Sequence, residues 1–145
     1  MRTLLLVTFV TLVTACSTGQ SSPAPCVPDS SVDAKTLRNP IKATPQSIAS
    51  GKRLYDRLCA DCHGEGGNGI SDAAETLGSA GEVRPPDLTD DNWEHGSTDG
   101  EIFVNIRDGV GSNEVMRGLN GKPGIADREM WEIVNYIRSM GPKHR

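Results

Sequence analysis

The 145-residue chain carries 19 acidic and 15 basic side chains, which give a formal net charge of −4 at neutral pH. The segment from Pro85 to Ile106 contains six acidic residues and no lysine or arginine, so the composition argues against a nucleic-acid-binding protein. This acidic segment is typical of a solvated surface, and a docking face for a basic partner protein is the alternative.

The first fifteen residues predict an export signal. A positive charge at Arg2 precedes the apolar run Leu4–Val13, whose length of about ten residues is too short for a stable membrane-spanning helix. The run closes at Cys16 in a sequence that resembles the lipobox of bacterial lipoproteins. That resemblance implies cleavage before Cys16, so that residues 1–15 are removed and Cys16 is acylated. A plain cleaved signal, with Cys16 as an ordinary thiol, is the alternative.

Export predicts a protein on the extracytoplasmic or periplasmic side, anchored to a membrane by the acyl chains. Because Ser17 stands where an aspartate would favour the inner membrane, the outer membrane is expected if the organism is Gram-negative. Residues 16–46 are rich in serine, proline, threonine and alanine, and predict a flexible tether spanning about 30 Å. The folded domain is expected over residues 47–145, and Cys26, inside the tether, receives no role.

Helical signals begin at the end of this tether. Thr44 and Pro45 suit the N-cap and first position of a helix whose apolar residues recur at helical spacing up to Cys59. Beyond the helix, the sequence predicts a glycine-rich loop over Gly64–Gly69 and a short helix over Asp72–Leu77.

Cys59, Cys62 and His63 form a C-x-x-C-H motif, the attachment signature of c-type haem. In such a motif each thiol forms a thioether with a haem vinyl group, and the histidine supplies one axial nitrogen. A structural zinc site would need further ligands, whereas the other cysteines, Cys16 and Cys26, lie far upstream. A thioredoxin-like pair should follow a strand in a βαβ unit, and no such pattern surrounds the motif. The motif therefore predicts one covalent haem c with His63 as an iron ligand.

The second half of the chain predicts two further helices. Thr98 and Glu101 form a capping box that opens the first of them. A glycine-rich loop over residues 111–124 precedes the last helix, which begins near Asp127 and stops at Gly141. Because no strand-period alternation is present, the fold class is predicted to be all-α.

The order of these elements resembles the class I cytochrome c family over nearly the whole predicted domain. Gly51 and Tyr55 match the glycine and aromatic residue of that family's first helix, and Tyr136 matches the aromatic residue of its last helix. The resemblance implies that these two helices cross closely within a small helical domain wrapped around one covalent haem.

The same resemblance implies two contacts at the iron. A segment that starts at Pro86 resembles the family's Pro-x-Leu, whose proline carbonyl accepts a hydrogen bond from the ligand histidine, here His63. The family takes its sixth ligand from a methionine in the loop before the last helix, which implies Met116. Met130 and Met140, on and at the end of the last predicted helix, are expected to be core or surface residues.

Other side chains are candidates around the haem. His95, in a loop ahead of a helix, is the rival sixth ligand and would give a bis-histidine haem; an exposed side chain is the other interpretation. Trp93, Arg84 and Arg107 are candidates to contact the haem propionates, because an indole N–H or a guanidinium suits a carboxylate. For Arg107, a side chain that faces solvent is the alternative.

The resemblance implies a monohaem cytochrome that transfers single electrons between a redox donor and an acceptor outside the cytoplasm, rather than an enzyme. One alternative is an electron-entry subunit of a larger periplasmic dehydrogenase or oxidase. Another is a haem sensor with an open iron site, in which Met116 does not bind. The sequence shows no distal acid–base constellation, which argues against a peroxidase.

Overall fold

A computed structural model describes residues 33–111 and 115–141 of the chain. The predicted signal peptide, Cys16 and Cys26 lie outside these residues. Within the described part, no helix has the length and apolar character needed to cross a membrane. The elements, in chain order, are a 3-10 helix at Ala34–Thr36, α1 at Pro45–Leu58, α2 at Ala60–His63, α3 at Asp72–Ser79, α4 at Asp99–Asp108, β1 at Gly109–Val110, β2 at Met116–Arg117 and α5 at Asp127–Met140.

Helices α1 and α5 cross closely. Gly51 in α1 lies against the backbone of Glu132 in α5, so near that a Cβ atom at Gly51 would overlap the Glu132 carbonyl oxygen. The rings of Tyr55 and Tyr136 meet edge to face, with centroids 5.2 Å apart and planes inclined at 62°. The crossing that the family resemblance implied for Gly51, Tyr55 and Tyr136 is therefore confirmed.

The core is centred on α5, whose apolar residues pack against α1 and α4. Phe103 of α4 stacks on Trp131 of α5, with ring centroids 4.0 Å apart. Met130 is only 1% exposed, which confirms its predicted place in the core. The buried cluster comprises Tyr55, Ile102, Phe103, Ile106, Leu119, Met130, Trp131, Ile133, Val134, Tyr136 and Ile137.

Reciprocal side-chain hydrogen bonds close the first turns of α1 and α4. The Ser47 amide donates to the Thr44 hydroxyl at 3.2 Å, and the Thr44 amide donates to the Ser47 hydroxyl at 3.0 Å. The Glu101 amide donates to the Thr98 hydroxyl at 3.2 Å, and the Thr98 amide donates to the Glu101 carboxylate at 2.9 Å. These bonds satisfy amides that a helix start leaves without partners, and they confirm both predicted starts.

A short antiparallel ribbon departs from the all-helical prediction. Gly109 of β1 lies opposite Arg117 of β2, and Val110 lies opposite Met116. The sequence predicts a loop where β2 lies. Two residues per strand are too few to show an alternating pattern, so no periodicity marks the ribbon. The ribbon nevertheless matters for the site, since it carries Met116.

Residues 33–44 pack on the domain, so the predicted boundary of the tether at residue 46 is too late. Asn39 donates to the Asn135 side-chain oxygen at 2.9 Å, and Asn135 donates to the Ile41 carbonyl at 3.1 Å. Leu37 and Ile41 pack against the core. Two amide side chains and two isolated apolar residues anchor this segment. Because these contacts do not recur at a regular spacing, the sequence shows no helical or strand periodicity that would predict them.

Candidate functional site

The C-x-x-C-H motif folds into one helical turn directly after α1. The amides of Cys62 and His63 both donate to the Cys59 carbonyl, at 3.1 and 2.9 Å. Gly64 ends the turn with a φ of 78°, a left-handed conformation that favours glycine. Cys59 and Cys62 carry free thiols, and both line one cavity together with His63.

Two side-chain hydrogen bonds fix the end of this turn. The buried Tyr55 hydroxyl donates to the Gly64 carbonyl at 3.0 Å, and the Ser71 hydroxyl donates to the Cys62 carbonyl at 3.1 Å. Burial raises the pKa of Tyr55, which keeps the phenol a hydrogen-bond donor at neutral pH. The sequence pattern identified Tyr55 only as an aromatic residue at the helix crossing. The hydrogen bond that its hydroxyl makes to the turn was not predicted.

His63 is buried beside Pro86. Burial lowers the pKa of His63, and the Pro86 carbonyl opposes that lowering. Nδ1 of His63 is buried, and no described atom meets strict hydrogen-bond geometry with it, so the Pro86 carbonyl is a close neighbour rather than an ideal acceptor. The lowered pKa favours the neutral imidazole, which is the form that binds a metal.

Backbone hydrogen bonds join the Pro86 segment to the glycine-rich loop. The Leu88 amide donates to the Gly67 carbonyl at 2.7 Å, and the Gly69 amide donates to the His63 carbonyl at 2.9 Å. A Cβ atom at Gly69 would lie 3.3 Å from the Pro86 carbonyl oxygen. These contacts fix the Pro86 carbonyl relative to the His63 ring, and the close approach of the Pro86 segment explains the glycine at position 69.

A cavity of about 610 Å³ opens beside this turn. Protein pockets for small molecules and cofactors cover about 300–1,000 Å³. Val83 and Val115 line the cavity although they are 70% and 37% exposed, so its lining includes exposed apolar side chains. The apolar lining includes Leu58, Leu77, Val83, Leu88, Ile102, Ile106, Val110, Val115, Leu119 and Ile137.

The cysteine environment does not suit a reactive redox pair. Burial, with a smaller effect of the neighbouring Cys62, raises the pKa of the Cys59 thiol to about 12. Redox-active C-x-x-C pairs require a lowered thiol pKa. Among residues 33–111 and 115–141, no cluster of three or more histidine, cysteine or acidic side chains could hold a metal ion.

Met116 lines the same cavity as His63. It is half-buried in β2, where it lies opposite Val110. Met130 and Met140 do not line the cavity. Two elements that are far apart in the chain thus bring an imidazole and a thioether to the lining of one cavity.

Trp93 also lines the cavity and brings an indole N–H to it. Its indole nitrogen is buried and has no hydrogen-bond acceptor among the described residues. The Arg138 guanidinium lies 5.6 Å from the centre of the Trp93 ring and donates to Asp99 at 2.7 Å. Buried polar groups are nearly always hydrogen-bonded, so this N–H is available to a ligand in the cavity.

The two predicted arginines differ in position. Arg84 lines the cavity and makes two hydrogen bonds of 2.9 Å to Glu75. Arg107 is not among the residues that line it, and its contact with a haem propionate remains a prediction. Its guanidinium donates twice to Asp108 at 2.8 Å and lies 5.5 Å from the centre of the Phe103 ring. The adjacent carboxylate therefore holds the Arg107 guanidinium, and the Arg107 hydrogen bonds lower the pKa of Asp108.

His95 lines the cavity as an exposed side chain. Its backbone carbonyl accepts a hydrogen bond of 3.0 Å from the Asn105 amide group, which ties the loop of His95 to α4. Both candidates for the sixth ligand, Met116 and His95, are therefore at the cavity, and Met116 is the more buried.

Residues 46–137 match the family model described as "Cytochrome C oxidase, cbb3-type, subunit III". The chain belongs to this family. The match identifies a c-type cytochrome domain, and the helical structure confirms the predicted all-α cytochrome c fold. Membership implies a covalently bound haem c. The residues fit this group, because free thiols, a buried histidine and an unpaired indole N–H surround an apolar cavity.

Curated relatives support the same assignment. The chain is 33% identical over 111 residues to the Rubrivivax gelatinosus protein named Cbb3-type cytochrome c oxidase subunit CcoP, covering 74% of this chain and 31% of that protein. It is 33% identical over 98 residues to Cbb3-type cytochrome c oxidase subunit FixP of Bradyrhizobium diazoefficiens, covering 63% and 30%. The chain thus spans less than a third of the length of these relatives.

Solved structures share the fold. The chain resembles a chain of the Kuenenia stuttgartiensis reducing HAO-like protein complex Kustc0457/Kustc0458, with a TM-score of 0.62, 25% identity, and coverage of 77% of this chain and 50% of that chain. It also resembles cytochrome CL from Methylophaga aminisulfidivorans, with a TM-score of 0.50, 22% identity, and coverage of 67% and 57%. At 22% identity, the second likeness shows the fold alone.

Proposed function

We propose that this domain is a monohaem c-type cytochrome that carries single electrons between protein partners outside the cytoplasm, with His63 and Met116 as axial ligands of the iron. One observation carries the proposal: Cys59, Cys62, His63 and Met116 all line one cavity. The chain contains a single C-x-x-C-H motif, which supports one haem.

Each of these side chains has a separate role. Cys59 and Cys62 hold the haem covalently, so it does not dissociate. His63, kept neutral by burial, offers a nitrogen to the iron, while the thioether of Met116 is a soft ligand that raises the reduction potential. The bound haem supplies one-electron chemistry. With both axial positions filled by side chains, no position remains for a substrate, which supports a carrier rather than an enzyme.

Trp93 and Arg84 are the proposed contacts of the haem propionates. The Trp93 indole N–H is buried at the cavity and has no acceptor among residues 33–111 and 115–141, so a carboxylate there would satisfy it. Arg84 already shares its guanidinium with Glu75, at 2.9 Å for both bonds. Trp93 is therefore proposed as the principal donor.

Measurements on the purified domain test the electron-carrier proposal. Haem absorbance and intact mass should give one haem per chain, and Cys59→Ala and Cys62→Ala should each remove one thioether. A potentiometric titration should be reversible and follow a one-electron curve. The native reduced protein should not bind carbon monoxide. Rapid carbon monoxide binding by the native protein would contradict the carrier proposal and support the sensor alternative.

A second candidate function is that of an electron-entry subunit in a larger oxidoreductase. The similar proteins favour it, because CcoP and FixP are named as oxidase subunits and the Kuenenia chain belongs to a complex. Purification from native membranes in mild detergent distinguishes the two functions. A stoichiometric partner that survives gel filtration supports the subunit, and a lone cytochrome supports the carrier.

Membrane anchoring is a further part of the proposal. The lipobox-like sequence that ends at Cys16 supports a lipidated, extracytoplasmic protein. Mass spectrometry of the mature N-terminus should find an acylated Cys16, and Cys16→Ser should release the haem-bearing protein into the soluble periplasmic fraction. An unmodified N-terminus at another residue would instead support a plain cleaved signal.

A further inference from the structure

We propose that Gly109 and Gly118 are positioning residues that set the place of Met116 at the cavity. The two glycines allow the ribbon that carries Met116 to lie directly on the backbone at the end of α4. This inference rests on the proposed role of Met116 as an iron ligand. It adds that the ligand's position is set by backbone contacts made by the protein itself.

Gly118 makes one of the two close backbone approaches. A Cβ atom at this position would lie 2.5 Å from the Arg107 carbonyl oxygen and 2.6 Å from the Asp108 carbonyl carbon. Both neighbours are backbone atoms, which cannot move aside as the end of a flexible side chain can. The backbone of Gly118 is not in the left-handed region, so the requirement for glycine here is purely steric.

Gly109, the first residue of β1, makes the second close backbone approach. A Cβ atom there would lie 2.5 Å from the Met116 carbonyl oxygen and 2.8 Å from the Gly118 nitrogen. Gly109 also has a φ of 88°, which favours glycine. Gly109 thus contacts β2 and Gly118, whereas Gly118 contacts the last two residues of α4.

Hydrogen bonds lock the segment after Met116 to α4. The Leu119 amide donates to the Ile106 carbonyl at 2.9 Å, and the Asn120 amide donates to the Arg107 carbonyl at 2.9 Å. Leu119 and Ile106 are both buried in the core. The segment after Met116 is therefore fixed to the buried core of the domain.

The backbone after Met116 is set by strand pairing. Arg117 follows Met116 and lies opposite Gly109 in the ribbon. A proline presets the backbone by its ring, whereas here the pairing of two strands presets it. Functional constellations must be held to within about 0.5 Å, so a displaced ribbon should weaken the axial bond.

The test compares Gly118→Ala with Gly66→Ala in the haem-loaded domain. Gly66 is the matched control, because it also lacks a left-handed backbone and a Cβ atom there meets nothing within 4 Å. Methionine sulfur bound to ferric haem gives a weak far-red absorption band. We expect Gly118→Ala to lose at least half of this band and, when reduced, to bind carbon monoxide, while Gly66→Ala matches the wild type.

The outcomes separate this inference from the proposed function. If the wild type has the band and Gly118→Ala keeps it in full, without binding carbon monoxide, the positioning role is overturned. If the wild type lacks the band, Met116 is not the ligand, and both the His/Met proposal and this inference fail.

A measurement without mutation covers the case in which Gly118→Ala does not fold. Imidazole added to the oxidised wild type competes with methionine for the iron, and amide hydrogen exchange then reports on the ribbon. We expect the Leu119 and Asn120 amides to stay protected after imidazole binds, because backbone contacts hold them. A loss of their protection would show that the iron bond positions the ribbon, and would overturn the proposal.

Discussion

Replacing Gly51 by alanine tests the helix crossing that holds the haem-attachment turn in place. A Cβ atom at Gly51 would overlap the Glu132 carbonyl oxygen and lie 2.6 Å from the Glu132 carbonyl carbon and 3.0 Å from the Tyr136 Cβ atom. Because the overlapping atoms are backbone, α1 and α5 must move apart. Gly51→Ala should therefore destabilise the domain although alanine is the better helix former.

The contacts at the crossing determine the expected loss. Overpacking of a tight core costs about 1–3 kcal/mol. Separation of the helices also weakens the Tyr55–Tyr136 ring contact, worth about 1 kcal/mol, and the 3.2 Å hydrogen bond from Asn135 to Ser47, worth about 1 kcal/mol. Alanine returns about 1 kcal/mol of helix propensity. The net expected loss is about 3 kcal/mol, or about 12–24 °C in Tm for a domain of this size.

Denaturant titration of the haem-loaded domain, followed by far-ultraviolet circular dichroism, measures this loss. Ala49→Gly is the matched control, because Ala49 is exposed in the same helix and its replacement should cost only about 1 kcal/mol of helix propensity. The reasoning is refuted if Gly51→Ala is as stable as the wild type or more stable, since helix propensity alone predicts that result.

Three smaller perturbations test other parts of the account. Thr98→Ala removes the oxygen that caps α4 and should lower the unfolding free energy by about 1 kcal/mol in a urea titration; an unchanged midpoint would contradict the role of the cap. Arg107 lowers the pKa of Asp108, so the pair stabilises the fold above a pH of about 3.9 and stops doing so as pH falls through the lowered pKa. Because the Asp108 side chain is 44% exposed, Asp108→Asn should lower the free energy of unfolding by less than about 1 kcal/mol at neutral pH and leave it unchanged at low pH. A loss that grows on acidification would contradict the stabilising role of the pair. Trp93→Phe should lower the reduction potential, since a propionate without its donor favours ferric iron; an equal potential would remove Trp93 from the proposed site.

The parts of the site that lie close together in the chain were predictable from the sequence. Cys59, Cys62 and His63 occupy one helical turn, so their spacing alone carries the attachment geometry. The close crossing at Gly51 was predictable from the family resemblance, because Gly51, Tyr55 and Tyr136 match that family's first and last helices.

The parts that depend on long-range contacts were not predictable. Asn39 and Asn135 join the segment before α1 to α5 across 96 residues, and no local pattern marks such a bond. Arg107 could have reached a propionate or solvent, and only the structure shows that its neighbour Asp108 holds it. The ribbon at Gly109 and Gly118 likewise depends on where two separate segments meet.

The identity of the sixth iron ligand is the central claim, and the far-red absorption of the oxidised domain tests it most directly. The account predicts a weak methionine-sulfur-to-iron band that vanishes in Met116→Ala and remains in Met140→Leu, whose side chain does not line the cavity. A wild type without the band, or a band that survives in Met116→Ala, would contradict His/Met ligation. The absence of the band from the wild type would direct attention to His95 or to an open iron site.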